Sequence, residues 1–128
     1  LDPLLKADQR VTLIEGLNAR DLAREHLRAA PGFIVCDVSF ISVTLILPAL
    51  RPLFREPVTQ LVILIKPQFE AGKGEVGKGG IVRDPAAHAA ARKKVESAVQ
   101  EFGFTTGIIE SPIAGAEGNK EFLLYARY

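Results

Sequence analysis

One cysteine, no methionine, a net charge of only +1 and no apolar run of bilayer length set the limits on this 128-residue sequence. The lone Cys36 excludes a disulfide framework within the chain and fits a reducing compartment. No signal peptide is recognisable, so the expected location is cytoplasmic. His26 and His88 lie far apart, with no cysteine or carboxylate cluster at ligand spacing, so no metal site is expected. The longest apolar run, Val43 to Leu50, falls well short of the roughly 20 residues that span a bilayer, and no membrane insertion is expected. The small net charge leaves any affinity for nucleic acid to a local basic patch. With no methionine and an opening at Leu1 that reads as the tail of a helix, the chain is expected to be a fragment of a longer protein.

What is present suffices for one core and is too short for two ordinary domains. Leu1, Leu4 and Leu5 have helical spacing behind an Asp2-Pro3 cap. Val11 to Ile14 reads as a short buried strand ending at Glu15. Arg20 to Ala30 reads as a helix with Leu22 and Leu27 inward, stopped by Pro31-Gly32. Phe33 to Cys36 is a second strand, followed by Asp37, and Ser42 to Phe54 is an apolar helical stretch interrupted by Pro48 and Pro52. Leu61 to Ile65 is an unbroken β-branched run of the kind buried on both faces of a parallel sheet, and it ends at Lys66.

Asp84-Pro85 caps a helix whose stripe is Ala91, Val95, Ala98, Val99 and Phe102, and Gly103 ends it. On that helix His88 falls on the polar side, where solvation is expected. Thr105 to Glu110 and Glu121 to Tyr128 form a final antiparallel pair. The alternation predicts an α/β fold: a mostly parallel sheet with helices on both faces and an antiparallel edge strand at the C-terminus.

Lys66 leaves its strand at the edge where open α/β sheets bind ligands. Asp37 leaves its own strand in the equivalent place, and the sheet would bring Glu121 to the same crevice. A lysine beside carboxylates keeps its proton, whereas desolvation or a second cation releases it for base catalysis. The plain alternatives are a lysine that snorkels into water, an aspartate that caps the Ser39-Phe40 turn, and an ordinary edge-strand glutamate.

After Lys66 comes a loop with Gly72, Gly74, Gly77, Gly79 and Gly80 interleaved with Lys73, Lys78 and Arg83. Gly72 to Lys78 fits the first seven positions of a phosphate-binding P-loop, but Gly79 stands where magnesium requires a hydroxyl. Six residues also separate the strand from Gly72, and the next helix starts only near Asp84. The loop is therefore either a solvated turn or a surface for the phosphate backbone of RNA, carried by Lys73, Lys78 and Arg83. Glu15 and Asn18 follow a strand end and would read a hydroxyl or base edge, or else serve as turn and cap residues.

The blocks CDVSFISVTLILPAL, LVILIKPQFEAGKGEVGKGGIVRDP and GFTTGIIESPIAGAEGNKEFLL resemble the TlyA-type branch of the FtsJ-like ribosomal RNA methyltransferases, proteins often labelled hemolysins. VTLIEGLNARDL is similar to the strand and loop that precede these blocks in that family. The resemblance implies a partial Rossmann-like methyltransferase fold, S-adenosylmethionine as cofactor, and methyl transfer to a ribose 2′-hydroxyl of ribosomal RNA. Of the family's Lys-Asp-Lys-Glu catalytic set it maps Asp37, Lys66 and Glu121 onto this chain, and it places Glu15 and Asn18, with Asp37, by the cofactor.

The first catalytic lysine, the glycine-rich cofactor loop and the N-terminal RNA-binding domain would precede Leu1. The chain is then the C-terminal portion of the methyltransferase domain, inactive alone, with homodimerisation through an exposed strand edge as a hazard. A non-catalytic RNA-binding module is the alternative function. A hemolysin-type membrane activity is disfavoured by the lack of a strongly amphipathic cationic helix.

Overall fold

The structure, a computed structural model, describes residues 1–54 and 60–128. Its centre is a four-stranded sheet in the order β1-β2-β4-β3. The strands are β1 (Phe33–Cys36), β2 (Gln60–Ile65), β3 (Thr105–Glu110) and β4 (Phe122–Arg127). The helices are α1 (Pro3–Ala7), α2 (Leu47–Leu50), α3 (Pro67–Glu70) and α4 (Pro85–Gln100), joined by single turns of 3-10 helix. No helix among the described residues is long and apolar enough to cross a membrane. β1 runs parallel to β2, and β4 runs antiparallel to both β2 and β3. The α/β class expected from the alternation is what forms, but the sheet differs from the expected one. Among the described residues it is not mostly parallel: one strand pair is parallel and two are antiparallel, because β4 returns against both of its neighbours. The antiparallel C-terminal strand is not the edge: β4 is inserted between β2 and β3, and β3 takes the outer position. Its composition suits an interior place, since Phe122, Leu124 and Ala126 are all buried.

Period-two alternation divides the sheet into two unlike faces. Leu61, Ile63 and Ile65 of β2 and Phe122, Leu124 and Ala126 of β4 point into one core, where they meet Leu47 and Leu50 of α2 and Ala91, Val95 and Val99 of α4. The opposite face holds Val62 and Leu64, half-buried, and exposed Phe33, Val35, Ile109 and Tyr125. A sheet covered by helices on both faces is therefore not found among the described residues, and β2 is fully buried on one side only.

Local chemistry explains where the helices run and where they fail. Asp84 Oδ1 accepts from Ala86 N at 2.9 Å and Pro85 fills the first turn, so α4 starts as expected; Gly103, at φ +92°, ends it by donating to Gln100 O at 2.9 Å. The stretch from Ser42 to Phe54 forms α2 between 3-10 turns at Val43–Leu45 and Arg51–Leu53, because Pro48 and Pro52 each fit only a first turn. The helix expected over Arg20 to Ala30 is replaced by two 3-10 turns, Ala19–Asp21 and Arg24–His26. Asn18 Oδ1 accepts from Arg20 N at 3.0 Å and His26 Nδ1 from Ala23 N at 2.9 Å, so side chains engage donors early and the turns close locally. Leu22 and Leu27 still pack against the core.

Residues 11–14 form no strand; Leu13 and Ile14 are exposed. A β-branched run becomes a strand only where a neighbour takes its backbone hydrogen bonds, and these residues have no ladder partner among the described residues. His88 overturns another expectation: it is buried, with Nε2 2.8 Å from Val82 O and its ring against Phe122. The carbonyl gives the imidazole a polar partner on a face that would otherwise be wet.

Candidate active site

Cys36 pairs with Ile63 in parallel register, so the carboxyl ends of β1 and β2 lie side by side. Asp37 leaves β1 there and Lys66 leaves β2. Lys66 Nζ stands 2.6 Å from Asp37 Oδ1 and donates to Ser39 Oγ at 3.1 Å. The Lys66 side chain is 15% exposed and that of Asp37 65%, so the amine is tucked beneath an open carboxylate. This pair joins two of the residues singled out by sequence.

The third arrives through β4. Ile65 faces Phe122 across the β2–β4 ladder, and one step further the register puts Glu121 opposite Lys66. Glu121 is buried, and its Oε2 accepts from Gln68 Nε2 at 3.0 Å, so its partner is an amide two residues beyond Lys66. Gln68 Oε1 is buried without a partner among the described residues. Beneath the carboxylate lies Gly115, where a methyl group would overlap Glu121 Oε2.

A buried carboxylate that sequence reasoning missed ties the site to its scaffold. Glu70, at the end of α3, accepts from Ser42 Oγ at 2.5 Å and from Val43 N at 2.8 Å, and pairs with Lys94 Nζ of α4 at 3.0 Å. It thereby fixes the loop that carries Asp37, Ser39 and Phe40 to the segment that follows Lys66. Phe40 is the second omission. Its ring is 89% exposed, it leans on Phe69 with centroids 5.1 Å apart, and its φ of +66° is rare for a side chain of this size. A large aromatic within the expected Ser39-Phe40 turn was the available signal.

The glycine loop makes two 3-10 turns, Lys73–Glu75 and Lys78–Gly80, with Gly79 and Gly80 at positive φ. Lys78 and Arg83 are exposed, as a phosphate contact requires; the side chain of Lys73 lies outside the described residues. Asn119 anchors the loop. It is 2% exposed; its Oδ1 accepts from Val82 N at 2.9 Å, and its Nδ2 donates to Gly80 O at 2.9 Å and Ala116 O at 3.0 Å. Glu15 and Asn18 are both exposed, and Asn18 caps the 3-10 turn Ala19–Asp21.

Cys36, beside this site, is a packing residue. Burial, and then the neighbouring Asp37 charge, push its thiol up to about 11. At neutral pH it stays protonated, so alkylation by iodoacetamide in the folded protein is expected to be far slower than for free cysteine. Equal rates would contradict the burial.

The whole chain, residues 1–128, matches the family described as FtsJ-like methyltransferase. It is 44% identical over 126 residues to a candidate rRNA methyltransferase of Bacillus subtilis, YqxC, covering 97% of this chain and 44% of that protein. It is 41% identical over 124 residues to the 16S/23S rRNA (cytidine-2′-O)-methyltransferase TlyA of Mycobacterium tuberculosis, covering 96% of this chain and 46% of that one. The chain thus spans about half the length of the curated relatives it matches. A solved structure of a candidate hemolysin from Streptococcus thermophilus superposes with a TM-score of 0.90 at 40% identity, over 97% of this chain and 45% of that one. On the family match over its full length, and on relatives and a solved structure that share its fold and sequence, this chain belongs to the FtsJ-like methyltransferase family.

Proposed function

We propose that the complete protein carrying this chain is a cytoplasmic enzyme that transfers a methyl group from S-adenosylmethionine to a ribose 2′-hydroxyl of ribosomal RNA. The observation that carries the reading is the 2.6 Å Lys66–Asp37 pair at the carboxyl ends of two parallel strands, with Glu121 at the facing position of β4. The relatives' names supply the substrate class.

The residues fit the cofactor at one point. Asp37 presents an open carboxylate at the strand ends, suited to the positive charge of a sulfonium. Glu15 and Asn18, both exposed, are the residues assigned to the adenosine end. S-adenosylmethionine supplies an electrophilic methyl group when bound. Lys66 takes the proton of the ribose hydroxyl as its oxygen becomes the nucleophile, and the Asp37 and Ser39 contacts aim the amine. Because an ammonium cannot accept a proton, Lys66 must first release one, which a second cation in the complete site favours. Glu121 fixes Gln68 and, through it, the turn after Lys66. Lys73, Lys78 and Arg83 hold RNA phosphates, and the exposed Phe40 ring offers a face on which an unpaired base can stack.

The same reading makes the 128 residues the C-terminal portion of the methyltransferase domain, without transfer activity on their own. Transfer of isotopic methyl from S-adenosylmethionine to ribosomal RNA tests both halves. The complete protein is expected to label the RNA at a 2′-oxygen and the 128-residue polypeptide to leave it unlabelled. RNA binding without labelling by the complete protein would identify a non-catalytic RNA-binding module instead.

A further inference from the structure

On the other side of Glu121 from Lys66, three cations converge on one cleft. Arg83, Arg92 and Lys120 line a space of about 200 Å³ whose wall is Phe122 and His88, with Glu110 as the carboxylate at the rim. Arg83 belongs to the glycine loop; Arg92 and Lys120 have no role in the site described above. On a chain with a net charge of +1, three cations against one carboxylate is a local concentration of positive charge.

The fold sets the spacing of the segments that carry Arg83 and Lys120, and a ring contact orders Arg92. Val82 N donates to Asn119 Oδ1 at 2.9 Å, and Arg83 and Lys120 are the next residues along their two segments. The buried Asn119 therefore sets the spacing between the backbones that carry these two cations. His88 Nε2, 2.8 Å from Val82 O, pins the same segment to α4. Arg92 lies over the Phe122 ring, 4.6 Å from its centroid. Stacking orders a guanidinium through its face and leaves its N–H edge available for bidentate bonding to a phosphate. Lys120 approaches Glu110 at only 3.8 Å, and both side chains are mostly exposed, so that pair holds the ammonium weakly.

We propose that this cleft binds a phosphodiester group of the RNA strand, one contact beyond those of the glycine loop. The inference rests on the reading of the protein as an RNA methyltransferase. Its geometry serves that reading: Phe122 and Lys120 flank Glu121, so a phosphate seated here and a ribose at Lys66 lie along one edge of the sheet. Fixed anion contacts away from the reacting atoms set the register of a strand without reading its bases.

The test is the salt dependence of binding between the complete protein and a ribosomal RNA transcript. For wild type, the logarithm of the affinity falls linearly with the logarithm of salt concentration. Arg92→Ala and Lys120→Ala are each expected to reduce that slope by about 1 and to weaken binding, leaving the maximal methylation rate at saturating RNA unchanged. Lys120→Glu, at an exposed position that cannot disturb the core, is expected to weaken binding further, and melting curves confirm that each variant is folded. An unchanged slope in folded variants overturns the cleft as a phosphodiester site while leaving the methyltransferase reading intact. Absence of RNA binding by wild type overturns both. Competition by inorganic phosphate with no change of RNA slope in the variants assigns the cleft to a small anion and overturns the RNA assignment.

Discussion

Lys66→Ala in the complete protein is expected to lower methyl transfer to ribosomal RNA by about 10²- to 10⁴-fold, the range over which a positioned acid or base contributes. The fold should tolerate the change. Lys66's ion-pair partner, Asp37, is 65% exposed, so removing the amine leaves a carboxylate in water, and loss of the ion pair itself costs at most about 1 kcal/mol. A large kinetic loss without a large melting shift is the expected signature. Lys66→Arg separates two roles for the amine. Arginine restores the positive charge and can donate to Asp37 and Ser39, but its guanidinium does not give up a proton in proteins. If Lys66 removes the ribose proton, arginine fails to rescue; if it acts only through its charge, arginine restores much of the rate. Transfer by Lys66→Ala equal to that of wild type removes the residue from the mechanism altogether.

Gly115→Ala should be nearly as damaging to activity and more damaging to stability. The backbone at Gly115, φ −81° and ψ −165°, is open to any residue, so conformational preference is not the obstacle. The obstacle is space: the new methyl would overlap Oε2, Cδ and Cγ of Glu121. Either the loop moves, straining the 2.8 Å hydrogen bond from Gly115 N to Asn119 O, or the carboxylate moves and Gln68 Nε2 loses its acceptor. Overpacking of this kind costs about 1–3 kcal/mol, and a stranded buried amide adds to it. The expected results are a melting temperature lowered by several degrees and a loss of transfer activity. Gly32→Ala is the control, because a methyl there meets nothing within 4 Å. If the two substitutions melt alike, Gly115 is not supporting Glu121.

The parts of this fold that sequence announced are those where local chemistry and tertiary placement agree. The Asp84-Pro85 cap and the Ala91, Val95, Val99 stripe need only their own neighbours to be legible, and α4 formed as expected. The apolar runs ending at Cys36 and Ile65 became strands, which put Asp37 and Lys66 together. Val11 to Ile14 carries an equally good strand pattern and forms none, because pairing is a property of two segments and the pattern describes one. The position of β4 within the sheet was hidden for the same reason, as an antiparallel hairpin from β3 is compatible with either an edge or an interior strand.

Polar residues buried for structure were the hardest to foresee. Asn119, Glu70 and His88 are types that mostly face water, and only the hydrogen bonds they make to distant backbone reveal why each is inside. Lys66, Asp37 and Glu121 were legible because their strand-end positions, and the family resemblance, pointed to the same edge.

The place of β4 also fixes the order in which the molecule can assemble. Gln60 pairs with Arg127, and Thr105 pairs with the same residue from the other side. During synthesis β1, β2, α4 and β3 are all made before the strand that joins β2 to β3 exists. Until Phe122 to Arg127 emerge, β2 and β3 each present an unsatisfied edge, and the core face has no Leu124 or Phe122 to close it. Completion of the sheet is therefore a late, long-range event, slow relative to the local formation of α4. A polypeptide lacking Phe122 to Arg127 would not be a slightly shortened domain; it would keep the β1–β2 pair and leave β3 without a partner strand, with exposed edges for a chaperone or a protease to find.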